Sequence, residues 1–469
     1  MLKNIFYPTV FMIVALLTLV LLQVRPVSAA PTAVTFTVNS TFDQPDDLTI
    51  PGTCHTAANT CTLRAAVMQA NRTSGIGATI ILPSGVYALT IPVAGVDGEG
   101  NGDLNLTTPV SGSPTITITG AGAGITIIDA NQIDRVFHVH PDRVAAISDV
   151  TIRNGYLAGA NADGGGIYNE GSLTVSRAAI SANHVAVGQG GGINNAPLSS
   201  LTLQNITLSQ NSSDYIGGGI GNFGSLDLRN STLSLNTALS VGGAIYSSGT
   251  LKVNGSTIFG NGSYDGGGIY TGTGAVYVIN STISQNYANT NGGGIAKYGP
   301  SGLVALYNTT IIDNDADHDR DQLGGIGGGV YSEAGARFIV VNTLIAGNTQ
   351  LNAPIPDDCD GTLEAYGLNL FGDMSGCTIP NAFNAGLISP NSFGPLQNNG
   401  GPTLTYALLQ GSNAIDTTVD GLGCVDETGA QLTIDQRGFA RPVGVRCDVG
   451  AFEYRPLRYL YLPLMVKNF

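Results

Sequence analysis

Between about Asp163 and Asn348 one phrase returns seven times, and few folds can accommodate it. It begins as Gly164-Gly165-Gly166-Ile167-Tyr168-Asn169, recurs through Asn195, Asn222, Ser247, Thr271 and Lys297, and closes at Ser332. Its aligned apolar residue falls at Ile167, Ile193, Ile220, Ile245, Ile269, Ile295 and Val330, at intervals of 26, 27, 25, 24, 26 and 35 residues. A fixed period near 25 is the mark of a solenoid. A second phrase lies between the glycine clusters, as in Asn205-Ile206-Thr207-Leu208-Ser209-Gln210-Asn211, and returns at Asn230–Asn236, Asn280–Asn286, Asn308–Asn314 and Asn342–Asn348.

Short alternating runs such as Leu226-Asp227-Leu228 and Leu251-Lys252-Val253 indicate strands. Each unit is therefore two or three short strands joined at Gly and Asn, the residues that adopt left-handed backbone angles most readily. Stacked at about 4.8 Å per coil, equivalent residues line up. One aliphatic ladder runs from Ile167 to Val330 and another through Ile180, Leu208, Leu233, Ile258, Ile283, Ile311 and Ile345. The asparagines from Asn183 to Asn348 form a polar ladder at a bend. The predicted fold is all-β, a single-stranded parallel β-helix of about 25 residues per coil, with an N-terminal helical cap and a C-terminal capping region.

Of 469 residues 65 are Gly, but without a three-residue period, which excludes collagen; a hydrophobic content of 43% argues against disorder. Only 11% are charged, so the surface is mostly Thr, Ser, Asn and Gly, which suits an extracellular scaffold and a carbohydrate-facing surface. Without residues 1–29, which hold Lys3 and Arg25 and no acid, 17 basic stand against 33 acidic residues. Such a body does not attract nucleic acid. Polysaccharide or cell-envelope components remain as partners.

The first segment combines Lys3, an apolar run from Val10 to Leu22 and a small-residue site at Val27-Ser28-Ala29, the pattern of a secretory signal; an uncleaved anchor is the alternative. Secretion or display at the cell surface follows. Membrane contact would come only through this segment or a C-terminal tail. Six cysteines, Cys54, Cys61, Cys359, Cys377, Cys424 and Cys447, sit as three local couples, and nearest-neighbour disulfides are the simplest pairing. The predicted divisions are a signal (1–29), a cap with the first coils (30–110), the coils (111–352), a C-terminal region (353–454) and a sorting or sealing tail (455–469). After Cys61, Leu63, Ala66, Val67 and Ala70 share one helical face, predicting an amphipathic helix across the solenoid end.

The run Cys61 to Asn71 resembles the motif of the CSLREA domain of bacterial surface proteins, departing from it at Ala65 where that family has Glu. Residues 385–454, with Gly400-Gly401-Pro402-Thr403, Asp435-Gln436-Arg437-Gly438 and Cys447-Asp448-Val449-Gly450-Ala451-Phe452-Glu453, are similar to the choice-of-anchor Q domain. The resemblance implies a right-handed β-helix and surface or secreted placement. It transfers no catalytic residue.

The sequence does not require a cofactor. The acidic run Asp313, Asp315, Asp317, Asp319 and Asp321 offers alternating carboxylates, the pattern with which short loops bind Ca²⁺, but it lacks the Gly and Glu of an EF-hand. A solvated acidic loop is the other reading. Asp163 and Asp265 share a register but are four coils apart, about 19 Å, too far for a glycosidase pair; Asp214 lies two residues off that register. Asp227 and Lys252 stack on adjacent coils beside Arg229, as a surface ion pair would. His318 and Arg320 are the basic residues nearest the acidic run. His138 and His140 share a strand face without a third ligand evident in the sequence. The expectation is a noncatalytic surface β-helix serving adhesion, envelope structure or glycan contact, with a polysaccharide lyase or glycoside hydrolase as the alternative.

Overall fold

A computed structural model describes residues 33–73, 77–93, 98–107, 115–159, 162–319, 324–350, 355–418 and 423–456. The predicted signal, all but two residues of the predicted tail, and Arg320 and Asp321 of the acidic run lie outside them. Each coil visits four parallel sheets in turn, numbered here from the glycine cluster. In one coil, sheet 1 holds Ile167–Asn169, sheet 2 Ser172–Ser176, sheet 3 Ala179–Ser181 and sheet 4 His184–Val185. Among the described residues the sheets contain 11, 12, 12 and 9 strands. Both predicted aliphatic ladders pair in register, Ile167 with Ile193 and Ile180 with Leu208, and both are buried in the bore. Paired sheet 2 residues are mostly 25 or 28 apart, as from Leu201 to Leu226 and from Leu173 to Leu201.

The glycine clusters have a steric cause. Gly190 has φ of +70°, and a Cβ on Gly191 would lie 2.2 Å from the Ser212 carbonyl oxygen. Coils approach too closely here for any side chain. At the bend between sheets 3 and 4 the asparagine ladder is continuous and fully buried. Asn183 Nδ2 donates to Asn211 Oδ1 (2.9 Å), Asn211 to Asn236 (3.0 Å), and so on through Asn261, Asn286 and Asn314 to Asn348. Each Oδ1 also accepts the backbone N–H of the preceding rung, so buried turn donors are satisfied coil by coil. A shorter ladder runs inside sheet 1, from Asn169 through Asn195 and Asn222 to Ser247. Two rungs on, Lys297 takes that position and donates to the carbonyls of Gly272, Tyr298, Gly299 and Ser301 at 2.6–2.8 Å.

The predicted cap is helix α1, Leu63–Asn71, started by Thr62 Oγ1 accepting from Ala65 N (3.1 Å). All nine residues are buried, not one face alone, because segments 43–54 and 99–105 bond Arg64, Gln69 and Asn71 on the sides turned from the bore. There Asp46 holds Gln69, and Asp43 receives the buried Arg64 guanidinium (2.6 Å). Disulfides join Cys54–Cys61, Cys359–Cys377 and Cys424–Cys447, the expected nearest-neighbour pairing.

The coils continue to Ala385–Leu387, after which the chain turns back as a strap along the outer face of sheet 3. The outward threonines of that sheet record its reach: Thr207 is exposed, whereas Thr257, Thr282 and Thr310 are buried. Gln436 bonds Thr257 and Thr282, Leu404 O accepts from Thr257, and Arg441 reaches Asn280 (2.7 Å). A second apolar core forms beneath the strap from Ile312, Leu344 and Leu370 of the coils with Tyr406, Leu408, Val449 and Phe452.

Candidate functional site

The outward row of sheet 1 reads Asn105, His138, Tyr168, Asn194, Gly221, Tyr246, Tyr270, Ala296, Tyr331 and Asp360. From Phe223 onward aromatic rings stack along the axis: Phe223 on Tyr246 (5.4 Å), Tyr246 on Tyr270 (5.8 Å), Tyr270 on Tyr298 (5.3 Å) and Tyr298 on Tyr331 (5.0 Å). The middle pairs are near parallel (13° and 27°), the outer two tilted (41° and 49°). Between Tyr168 and Tyr246 the row holds only Asn194 and Gly221, and with Phe223 on Gly221's coil the aromatic run is interrupted over two coil rises, about 10 Å at the usual strand spacing.

A trough crosses the sheet at this interruption. Its wide end, about 600 Å³, lies over Tyr168, Glu170, Arg143, Pro197, Leu198 and Ser200. A narrower part of about 180 Å³ shares Tyr168 and Pro197 with it and adds Asp163, Gln189, Asn194 and Phe223. The far end, about 430 Å³, shares Asp163 and Gln189 and is lined further by Val187, Asp214 and Tyr215. Apolar side chains stand unusually exposed at both ends, Leu198 fully and Val187 and Tyr215 at 54%.

Asp163 lies where the narrow part meets the far end. Its Oδ1 accepts the Gln189 backbone N–H (2.9 Å), and burial pushes its carboxyl above the usual range. Beside it, the Tyr168 hydroxyl donates to Glu170 Oε1 (3.3 Å) while Glu170 Oε2 meets His138 Nε2 (2.8 Å). Burial raises the Tyr168 phenol to about 12 and lowers the His138 imidazole to about 4, leaving His138 neutral at ordinary pH. The Arg135 guanidinium lies 5.4 Å from the Tyr168 ring centre and pairs with buried Asp103. The His138 and His140 rings stack at 3.8 Å, and His140 Nε2 lies 2.6 Å from Asn105 Oδ1. His138, His140 and Glu170 bring three ligand atoms within 4.8 Å of one another. This third ligand was not evident from residue spacing, because Glu170 reaches the histidines from the next coil.

The fold has a counterpart. The solenoid is similar to a crystal structure of pectate lyase Pel9A. The TM-score is 0.52 at 15% identity, over 91% of this chain and 97% of that one. That likeness covers the fold alone. No family model matches the chain, and no curated protein is similar to it.

The acidic run does not form a joint ligand set among the described residues. Only part of the run projects as a loop: Asn314 is an inward rung of the ladder and Asp315–Ala316 is a sheet 4 strand, so neighbouring carboxylates are sent in different directions. Asp313 Oδ2 accepts the Tyr406 hydroxyl (2.7 Å), Asp315 is held by Thr349 (3.0 Å) and His318 (2.9 Å), Asp317 is buried, and Asp319 is exposed. Asp321 lies outside the described residues. Asp227 and Lys252 do share a register, yet they do not pair: Asp227 binds Arg229 and Lys252 binds Glu427 of the strap. Asp265, like Asp163, caps the next coil, accepting Asn291 N (3.0 Å) and the Tyr298 hydroxyl (2.9 Å). Asp214 does line the trough with Asp163, but two coil rises, about 10 Å, separate their registers and Asp214 faces His184 at 3.9 Å.

Proposed function

We propose that this is an exported β-helix protein of the cell surface that holds an uncharged polysaccharide in the trough without cleaving it. The observation that carries this reading is the trough itself: three adjoining concavities that share lining residues, with aromatic and exposed apolar residues along the walls and amide and carboxyl groups at the centre. Sugar rings present apolar faces and hydroxyl edges, and such a lining offers partners for both. Its charged groups are Asp163, Glu170, Asp142 and Asp214 against Arg143, a net negative set that disfavours an acidic polymer. Asp163 and Glu170 are each engaged by protein donors, which favours binding over hydrolysis.

Export is supported by the signal-like first 29 residues and by three disulfides, which persist in oxidising compartments. The CSLREA-like and choice-of-anchor Q-like runs favour a surface location. The fold likeness to a pectate lyase keeps depolymerisation as the second reading.

The test is retention of the chain on neutral and acidic polysaccharides, with and without Ca²⁺, alongside assays for reducing and unsaturated ends. Neutral-polymer retention that weakens about tenfold in Tyr168→Ala, with no new chain ends, is the expected result. New chain ends would establish the lyase or hydrolase reading, and unchanged retention in Tyr168→Ala would remove the trough as the binding site.

A further inference from the structure

The outward face of sheet 1 carries a cluster that shares only Glu170 with the trough's lining and adds His138 and His140 behind it. Asn105, His138 and Tyr168 are neighbours in one cross-strand row, and His140 and Glu170 each lie two residues further along their own chain segments. Side chains two apart on a strand share a face, so three adjacent coils present Asn105, His138, His140 and Glu170 side by side. The three nitrogen and carboxylate ligand atoms are already within 4.8 Å of one another, and the Asn105 carbonyl oxygen lies 2.6 Å from His140 Nε2.

We propose that His138 Nε2, His140 Nε2 and a Glu170 oxygen bind one divalent transition-metal ion, with Asn105 Oδ1 as a fourth donor. Two imidazoles with one carboxylate are a borderline-hard N/O set, which suits Zn²⁺, Ni²⁺ or Cu²⁺ and not Ca²⁺. Bonds of about 2.0–2.2 Å place tetrahedral donors about 3.4 Å apart, so the ion would replace the His138–Glu170 and His140–Asn105 hydrogen bonds (2.8 and 2.6 Å), opening those pairs while the wider separations close. The Tyr168 hydroxyl on Glu170 Oε1 orients the carboxylate and leaves Oε2 directed at His138, the outer-layer support that metal carboxylates use. Arg135 is the nearby cation, and buried Asp103 offsets its charge. The ion would tie together three consecutive coils at the edge of the trough. The proposal shares Glu170 with the trough but does not need a glycan there, since its readout is metal binding by the chain alone.

The experiment is titration of the disulfide-intact chain, without a histidine tag, with Zn²⁺, and with Co²⁺ as a spectroscopic probe. Expected are one ion per chain, visible Co²⁺ absorption of a four- or five-coordinate site, and weakening of at least tenfold in Glu170→Gln and about a hundredfold in His138→Gln. Both residues are partly exposed, and unchanged metal-free melting of the variants checks that they fold. Absence of a one-to-one site, or affinity unchanged from the parent chain in both variants, would overturn the proposal; the latter would place the ion at another histidine.

Discussion

Asn348 Nδ2 donates to Asp358 Oδ1 at 2.8 Å, and this bond ends the buried amide ladder that begins at Asn183. Each asparagine accepts from the preceding rung and donates to the next, so the last rung needs an acceptor that no further asparagine supplies. Asp358 offers acceptors only: Oδ1 takes the Asn348 amide and backbone N–H, and Oδ2 takes Asp373 N (2.7 Å).

That arrangement has a pH signature. Burial pushes the Asp358 carboxyl up to about 6, and burial with Glu453 nearby pushes Asp448 up to about 7. A folded pKa above the unfolded value means that the native chain holds protons the unfolded chain has released, so stability falls as pH rises from about 4 to about 7. A difference of about 2 in pKa corresponds to roughly 3 kcal/mol. Denaturant unfolding across this range should show the decline, and Asp448→Asn should remove its upper part. A flat profile in the unsubstituted chain would contradict the assignment.

Lys297 is a fully buried cation whose ammonium group is held by four carbonyls. Lys297→Met keeps much of the volume and leaves those carbonyls without a donor. A loss of about 3–5 kcal/mol is expected, read from chemical denaturation. Gly272 and Ser301, which supply two of the carbonyls, lie 25 and 4 residues away, so protease sensitivity should appear first near this turn.

Gly191→Ala tests the close approach of coils. The added methyl would meet the Ser212 and Gly218 carbonyl oxygens at 2.2 and 2.5 Å. With backbone on every side the site cannot relax locally, and loss of soluble protein or at least about 4 kcal/mol is expected. Gly272→Ala, where a Cβ meets nothing within 4 Å, should be tolerated.

Tyr406 pins the strap through its hydroxyl, which lies 2.8 Å from Ser284 Oγ and donates to Asp313 Oδ2 at 2.7 Å. Tyr406→Phe should cost about 1–2 kcal/mol. Faster hydrogen exchange in Thr405–Leu408, with the coils unchanged, is the accompanying observation.

The coils were legible because their cause is local: every rung repeats the same apolar, glycine or asparagine choice, and register follows from the period. Helix α1 was legible for the same reason. The ion pairs were not, since Lys252 meets Glu427 across 175 residues. The trough was hidden in small residues, Asn194 and Gly221, that mattered for the bulk they lack. A clue to the strap was present in the outward positions of sheet 3, where the Thr and Ser of earlier coils give way to Ile312, Leu344 and Leu370. In the acidic run the ladder residue Asn314 was legible, but the separate engagements of Asp313 with Tyr406 and of Asp315 with Thr349 were not, since those partners lie 93 and 34 residues away.

The strap also sets an order of events during synthesis. Each coil closes on its predecessor after some 25 residues, as Leu251 does on Leu226, so the stack can grow rung by rung as the chain emerges. Thr257, by contrast, waits 147 residues for Leu404 and 179 for Gln436. Until those residues arrive, Ile312, Leu344 and Leu370 face water along one side of an otherwise finished column. Closing that side is therefore a late, long-range step, slower than coil addition. Chains caught before it are the ones expected to adhere to one another.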